Sequence, residues 1–529
     1  MILEKKNIRM NKIKCRNQVK TTFDDDFNVP DRKPDIAQII REQGNIVINE
    51  QKLMNGRLVI KGILQFSVLY LSEDQERPIH SMSGEVPFEE LIVMEQAGAE
   101  DSINVHYEVE DLSVSMINSR KINLRAVVTF SVSAEEIYDE EAAVGAEMDE
   151  GQKSEDLCVY TRNKTFEIAQ LLLSGQDTLR LKEEISISTG KANIREILYE
   201  NAVLKGVELH PGNDKLAIKG ELVFTIFYMG EEGQAPEYYE KNVPFEKELS
   251  VSGMRETHVS QVYVRLLNKE ISVKQDEDGE ARIFACEITL KLEMKNWKNE
   301  EISLMDDIYS TRGEMEITRK DAHFLNLVMK NDSKLRLQDI LPLYAQRDEI
   351  LQICTPVGTI RIDDEHMTEQ GIEVEGVLEV KILCVTGKDE QPLIANSGIL
   401  PFSYLIDVKW GGALPDKEHY MYEISPSLEQ ISAVMLDGNE VEIKAVIRLD
   451  TIVFELICCP IITQAEEKPF DAGEFNRMPG ITGYVAGKGE SLWEIAKKYH
   501  TTMQEIMELN HLEKEELSGG EKLLIVKSV

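Results

Sequence analysis

A mainly β chain, with three tandem β-rich domains followed by a small strand–helix–helix–strand module, is predicted by three observations. The first is a triplicated pattern. LVIKGILQFSVLY (58–70), LAIKGELVFTIFY (216–228) and IEVEGVLEVKILC (372–384) align on Gly62, Gly220 and Gly376. Each is followed by a V/L-P-F motif, carrying Phe88, Phe245 or Phe402, and then by a strand-like segment around Ala126, Cys286 or Ala445. Three landmarks in one order at one period are the mark of a repeat. The second observation is strict apolar alternation in each aligned segment. The third is a pair of helix-start signals packed into the last fifty or so residues.

The alternation fixes the type of element. Leu58, Ile60, Leu64, Phe66, Val68 and Tyr70 share one face in the first copy. Leu216, Ile218, Leu222, Phe224, Ile226 and Tyr228 share it in the second; Ile372, Val374, Leu378, Val380, Ile382 and Cys384 in the third. A period of two over so many positions predicts a half-buried strand. The mid-strand glycine predicts a bulge or a close backbone approach. The repeat is too long for a solenoid unit, so the copies read as tandem domains over 18–150, 162–310 and 320–460.

Other stretches read differently. DIAQIIREQ (35–43), NIREILYEN (193–201) and DEILQICT (348–355) read as short helices. Residues 134–150 hold eight Asp or Glu and no Lys or Arg, which predicts a solvated linker. Residues 463–480, polar with two prolines and two glycines, predict a second linker.

Composition bounds the function. Hydrophobic content of 42% and charged content of 29% belong to folded domains. A net charge of −36 opposes non-specific binding to nucleic acid. The first twenty residues are the exception, with seven Lys or Arg and one Glu. They read either as a solvated basic end or as a contact for an acidic partner or membrane surface. Seven cysteines without a C-x-x-C pair predict neither a disulfide framework nor a zinc site. Adjacent Cys458 and Cys459 read as buried reduced thiols. No secretory signal and no apolar run near eighteen residues is found, which predicts a cytoplasmic protein.

Catalytic signatures are missing from the sequence. Thr189-Gly190-Lys191-Ala192 and Thr386-Gly387-Lys388-Asp389 lack the glycine spacing and hydroxyl of a phosphate loop. There is no H-E-x-x-H, no G-x-S-x-G, and none of the nine histidines forms a helical pair at metal spacing. The expectation is a protein that is not an enzyme and uses no cofactor.

In the C-terminal module, 481–529, Ser491 with Glu494 and Thr502 with Glu505 form two capping boxes. Leu492, Ile495, Ala496 and Tyr499 give the first helix an apolar face. Gly519-Gly520 turns the chain into a closing strand, KLLIVK. Trp493 lies about 100° from Leu492, which predicts a half-exposed anchor at the edge of that face.

This module resembles a LysM domain, through Tyr484, Val485, Gly489, Ser491, Leu492, Trp493, Ile495, Ala496, Tyr499, Ile506, Leu509, Asn510, Leu512, Gly520, Leu523 and Ile525. The resemblance implies a groove for N-acetylglucosamine-containing glycan between Gly489, Glu490, Ser491 and Leu492 on one side and Asn510 and Leu512 on the other. Glu490 stands where Asp is usual, His500 where Gly is common, and Gly519 where Pro is common. Leu492 and Leu512 are equally candidates for the module's own core. The repeats resemble the SPOCS (DUF3794) domain, through the strand centred on K-G or E-G and the later [VL]-P-F. Several such domains followed by LysM resemble the clostridial spore coat morphogenetic family. That resemblance implies a scaffold of the spore coat in the mother cell, at the forespore surface. It also implies the coat-basement ATPase, stage IV sporulation protein A, as partner. The competing expectation is a cell-wall protein that binds peptidoglycan. Leu492, Trp493 and the loop from Asn510 to Glu513 are expected to contact a protein partner.

Overall fold

The computed structural model describes residues 2–73, 78–147, 159–231, 236–343, 350–354, 356–388, 390–411, 415–436, 439–470 and 479–526. The first repeat is built from β1 (Ile2–Asn28), β2 (Ile36–Met54), β3 (Arg57–Ser72), β4 (Ile79–Val93), β5 (Ser102–Asn118) and β6 (Lys121–Glu147). These make two antiparallel sheets, β2-β3-β4 and β1-β6-β5. The second repeat repeats the plan with β7 (Val159–Ser186), β8 (Ile194–Gly212), β9 (Lys215–Gly230), β10 (Pro236–Ser250), β11 (Val259–Gln275) and β12 (Ala281–Ser310), paired as β8-β9-β10 and β7-β12-β11. In the third, β14 (Ile350–Ile353) and β15 (Val357–Met367) together replace the second strand. They pair one edge of β16 (Gly371–Thr386), whose other edge pairs β17 (Leu393–Asp407). Its outer sheet is β13 (Gly313–Pro342), β19 (Glu440–Pro469) and β18 (Tyr420–Met435).

The alternating faces read from the sequence are the cores. All eighteen of those side chains are buried, the least buried being Phe66 at 3% exposure. They meet the facing sheet of the same repeat, as in the packing of Tyr228 against Phe284 at 5.5 Å between ring centroids. The mid-strand glycine and the later phenylalanine are direct cross-strand partners in every copy: Gly62 with Phe88, Gly220 with Phe245 and Gly376 with Phe402. A methyl group on the glycine would lie 2.7–2.9 Å from the tip of the ring. The phenylalanine thus lies over the bare backbone of the glycine, which covers a surface that a Cβ would otherwise fill. The neighbouring strand bulges beside each glycine, between Ile48 and Glu50, Lys205 and Glu208, and Ile362 and Asp364.

The three stretches expected to be helical are strands. Bulges explain the misreading. The register shifts between Ile36 and Gln38, Ile39 and Arg41, Ile194 and Glu196, Ile197 and Tyr199, and Ile350 and Gln352. Each bulge breaks the period of two, so apolar residues fall at i, i+3 and i+4 and imitate a helix. Residues 348, 349 and 355 lie outside the described residues.

Both expected linkers are also corrected in part. Residues 134–147 continue β6, and 463–469 continue β19. The acidic stretch pairs along its length with the basic N-terminal residues, Lys5 opposite Ala143 and Lys12 opposite Glu136. Lys14 makes ion pairs with Asp101 at 3.0 Å and Glu136 at 3.3 Å. Opposite charges on adjacent strands hold the first twenty residues in the sheet rather than leaving a solvated end. Residues 148–158, with Cys158, and 471–478 lie outside the described residues. Cys459 is buried, but Cys458 is exposed, since successive side chains on a strand point to opposite faces.

The long outer strands do more than close their own sandwiches. Their distal halves come together in one shared apolar cluster, with Ile8 and Met10 from the first repeat, Ile168, Leu171, Trp297 and Ile302 from the second, and Phe324, Phe454 and Ile461 from the third. One bulge in each outer strand pair marks where the sandwich ends and the shared core begins: Ile13/Cys15, Asn296/Trp297 and Leu327/Met329. A second shared cluster, with Leu69, Phe227 and Leu383, joins the inner sheets. The three repeats therefore close on one another as a single-chain pseudo-trimer. Where they meet lies a cavity of about 1070 Å³, and its lining includes Arg16, Arg265, Glu293, Glu423 and Arg448.

Candidate functional site

The C-terminal module has β20 (Ile481–Val485), α1 (Leu492–Lys498), α2 (Met503–Asn510) and β21 (Lys522–Val526). Both capping boxes form. The Glu494 amide donates to Ser491 Oγ at 3.3 Å, and the Ser491 amide donates to the Glu494 carboxylate at 3.2 Å. Thr502 and Glu505 do the same at 3.0 and 3.2 Å. Each box satisfies two orphan donors, and its hydroxyl cap is worth on the order of 1 kcal/mol. Short helices of seven and eight residues depend on such caps and on packing.

The candidate groove residues are largely occupied with structural work. Leu492 is 1% exposed, in the module's core, and Leu512 packs on that core. Asn510 donates to the carbonyls of Ile506 and Leu524 at 2.8 Å and accepts from the Leu524 amide at 2.7 Å, so it ties α2 to β21. Ser491 caps α1. The Glu490 carboxylate accepts from the Gly487 amide and the Tyr484 hydroxyl, each at 2.8 Å, and these bonds hold it below the usual carboxylate range. Gly489 is exposed at φ 89°, in the left-handed region.

The three departures from the family pattern now have geometry. His500 adopts φ 51°, which explains why glycine is common there. Gly519 adopts φ 90°, a conformation closed to proline. A methyl group on Gly519 would sit 3.0 Å from the Lys488 Cα, so the two loops that rim the groove touch backbone to backbone. Glu490 has the reach to hydrogen-bond both Gly487 and Tyr484.

Trp493 is not the half-exposed anchor expected from helical spacing. It is 6% exposed and seated on the second repeat. Its indole N–H donates to Asp307 Oδ2 at 2.8 Å, and its ring meets Tyr309 edge-on at 4.8 Å. Lys497 donates to Asp307 Oδ1 at 2.7 Å, and Arg319 of β13 donates to the same oxygen at 3.0 Å. The Tyr309 hydroxyl donates to the Thr501 carbonyl at 3.0 Å, and the Arg162 guanidinium lies 5.6 Å from the Trp493 ring centroid. No spacing rule in the sequence links Asp307 to Trp493.

Burial alone would raise the Asp307 carboxyl, but the hydrogen bonds from Lys497 and Trp493, with the Lys497 charge, hold it below its ordinary value. A carboxyl lowered in the docked state contributes fully above its undocked pKa and loses that contribution as pH falls through the docked value. Docking is therefore expected to be intact at neutral pH and to weaken only in acid below the usual carboxylate range. A red shift in the Trp493 part of the emission, isolated by subtracting a Trp493→Phe spectrum, would report it. A shift already present near pH 6 would contradict the assignment.

The central cavity is a second concave feature. Its charges are mostly paired, with Arg265 on Glu293 at 2.7 Å, Arg448 on Asp332 at 2.5 Å and Glu429 on Lys334 at 2.8 Å. Among the described residues no cluster of three or more His, Cys, Asp or Glu could hold a metal ion, and no helix is long and apolar enough to cross a membrane.

Residues 35–117, 193–274 and 349–436 match the family model described as SipL, SPOCS domain, and residues 484–526 match the model of the LysM domain. No curated protein and no solved structure matches the chain. Each SPOCS match runs from the first strand of the inner sheet to the last short strand of the outer sheet. The six long strands that build the shared core lie outside the matched segments.

Proposed function

The chain belongs to the SipL, SPOCS-domain family and ends in a LysM domain, and from that premise we propose that it is a non-enzymatic scaffold of spore coat assembly. SPOCS and LysM are binding domains without catalytic machinery. In this reading the protein works at the forespore surface, on the mother-cell side, by protein–protein contacts. Its partner is the coat-basement ATPase, stage IV sporulation protein A, and the LysM domain is the binding element. Trp493 and the loop from Asn510 to Glu513 form the partner surface; Leu492, expected there from the sequence, is 1% exposed in the module's own core and leaves that set.

The observation that supports this reading most is the occupancy of the groove. Ser491, Leu492 and Asn510 are committed to cap, core and strand contacts. A sugar site needs a few free polar groups around an apolar platform, and the one indole of the module is turned to the second repeat. The exposed Gly487–Gly489 loop is the observation that favours the second reading, a peptidoglycan-binding protein.

The test uses the full chain against two ligands. The purified ATPase is expected to bind and sedimented peptidoglycan is not, and Trp493→Ala is expected to abolish ATPase binding. Retention of the ATPase by that variant, together with loss of measurable binding to peptidoglycan, would reverse the order of the two readings.

A further inference from the structure

We propose that Asp307 is a latch: it closes the LysM domain on the second repeat and hides Trp493, so that a protein partner reaches the α1 face only when the domain undocks. The proposal rests on the reading that this face contacts the partner. It deepens that reading by naming what regulates it.

The geometry makes Asp307 the hinge-point of the interface. One carboxylate of the body collects two donors from α1, the Trp493 indole and the Lys497 ammonium. Arg319 of the third repeat holds the same carboxylate in place. A bulge in β12 aims it. The register passes from Met305 to Asp307, so the skipped Asp306 turns to Arg162 at 2.9 Å while Asp307 turns to the LysM domain. Re-aiming one side chain is what a bulge does.

The pseudo-symmetry isolates the acid as a special feature. The other two repeats have a bulge at the same level, skipping Val144 in β6 and Thr463 in β19. The residues that follow those bulges are Gly145 and Gln464. The carboxylate occurs in the repeat that carries the docked domain and in neither of its copies.

The docked indole cannot serve two masters. A buried tryptophan with its N–H bonded and its ring against Tyr309 is already an interface anchor, the residue type that dominates protein interfaces. A partner that needs the same face binds only the undocked fraction, and its apparent affinity falls by that fraction.

The test uses the full chain with Asp307→Asn, with Asp307→Lys as the stronger variant. Three readouts are taken: melting of the three-repeat body, iodide access to Trp493, and affinity for the purified ATPase. With the body's melting unchanged, Asp307→Asn is expected to open Trp493 to iodide and to tighten ATPase binding roughly tenfold, the loss of one charge-assisted hydrogen bond. Adding Trp493→Ala should remove the gain. A Trp493 still shielded in both variants overturns the latch. An open domain with unchanged or weaker affinity, while Trp493→Ala alone weakens binding, overturns the masking and leaves the partner reading standing. Absence of ATPase binding in every variant, open or closed, overturns the partner reading and the masking with it.

Discussion

Trp297→Ala is expected to destabilise the whole chain by about 3–5 kcal/mol, because it empties the centre of a core that three repeats share. Trp297 is 2% exposed and packs on Phe454 of the third repeat at 5.3 Å between centroids, in a cluster that also takes Ile8 and Met10 from the first. The variant should therefore separate the repeats as well as weaken one of them. Urea unfolding followed by fluorescence and far-UV circular dichroism should show one transition in the wild type and split or non-coincident transitions in the variant. The indole N–H of Trp297 is buried and has no hydrogen-bond partner among the described residues. Trp297→Phe loses that orphan donor and keeps a ring, so it should be much milder. A Trp297→Ala protein that unfolds in one transition with a change under about 1 kcal/mol would show that the shared core does not couple the repeats.

Gly62→Ala is expected to cost about 1–3 kcal/mol, as overpacking does in a close-packed core. The added methyl would lie 2.4 Å from the Val47 carbonyl oxygen and 2.7 Å from Phe88 Cζ. Backbone cannot retreat as a side chain can, so Phe88→Leu should fail to rescue it. Gly220→Ala is the contrasting case. Its nearest neighbour is Phe245 Cζ at 2.9 Å, and the Lys205 carbonyl stands off at 3.5 Å. It should cost less, and Phe245→Leu should recover most of the loss. The two double-mutant cycles measured by urea denaturation carry the comparison. Rescue of Gly62→Ala by Phe88→Leu would show that the ring, not the backbone, sets the constraint.

These two sites show how far the sequence could be read. The glycine and the phenylalanine were visible as landmarks of a repeat about 25 residues apart, and the period of two around the glycine named its strand. That the two residues face each other across the strand pair was not visible, because pairing register is a non-local property. The helix-like spacing of Ile36, Ile39 and Ile40 misled for a related reason. A bulge inserts a residue without any mark in local composition, and it shifts an alternating pattern into a helical one. The capping boxes at Ser491 and Thr502 were legible because each is complete within four residues.

The acidic 134–147 and the basic N-terminal strand mark the same boundary from another side. Each alone has the composition of a solvated segment. Paired, they become one two-stranded arm of a shared core, with Ala142 and Ala143 buried between repeats. The acids that face the basic strand lie more than a hundred residues further along the chain, as Glu136 does from Lys12, and no short window contains both.

The sequence by itself determined what repeats along the chain or closes within a few residues: the triplication, the inner strand and its buried face, the family, and the capped helices of the LysM domain. Tertiary structure alone decided what depends on distant partners: the closure of three repeats on Trp297, the fit of each phenylalanine over its glycine, and the seat of Trp493 on Asp307. The reason is physical. Periodicity and capping are local free energies written in neighbouring residues, whereas burial of one side chain by another 186 positions away is settled only when the whole chain has packed.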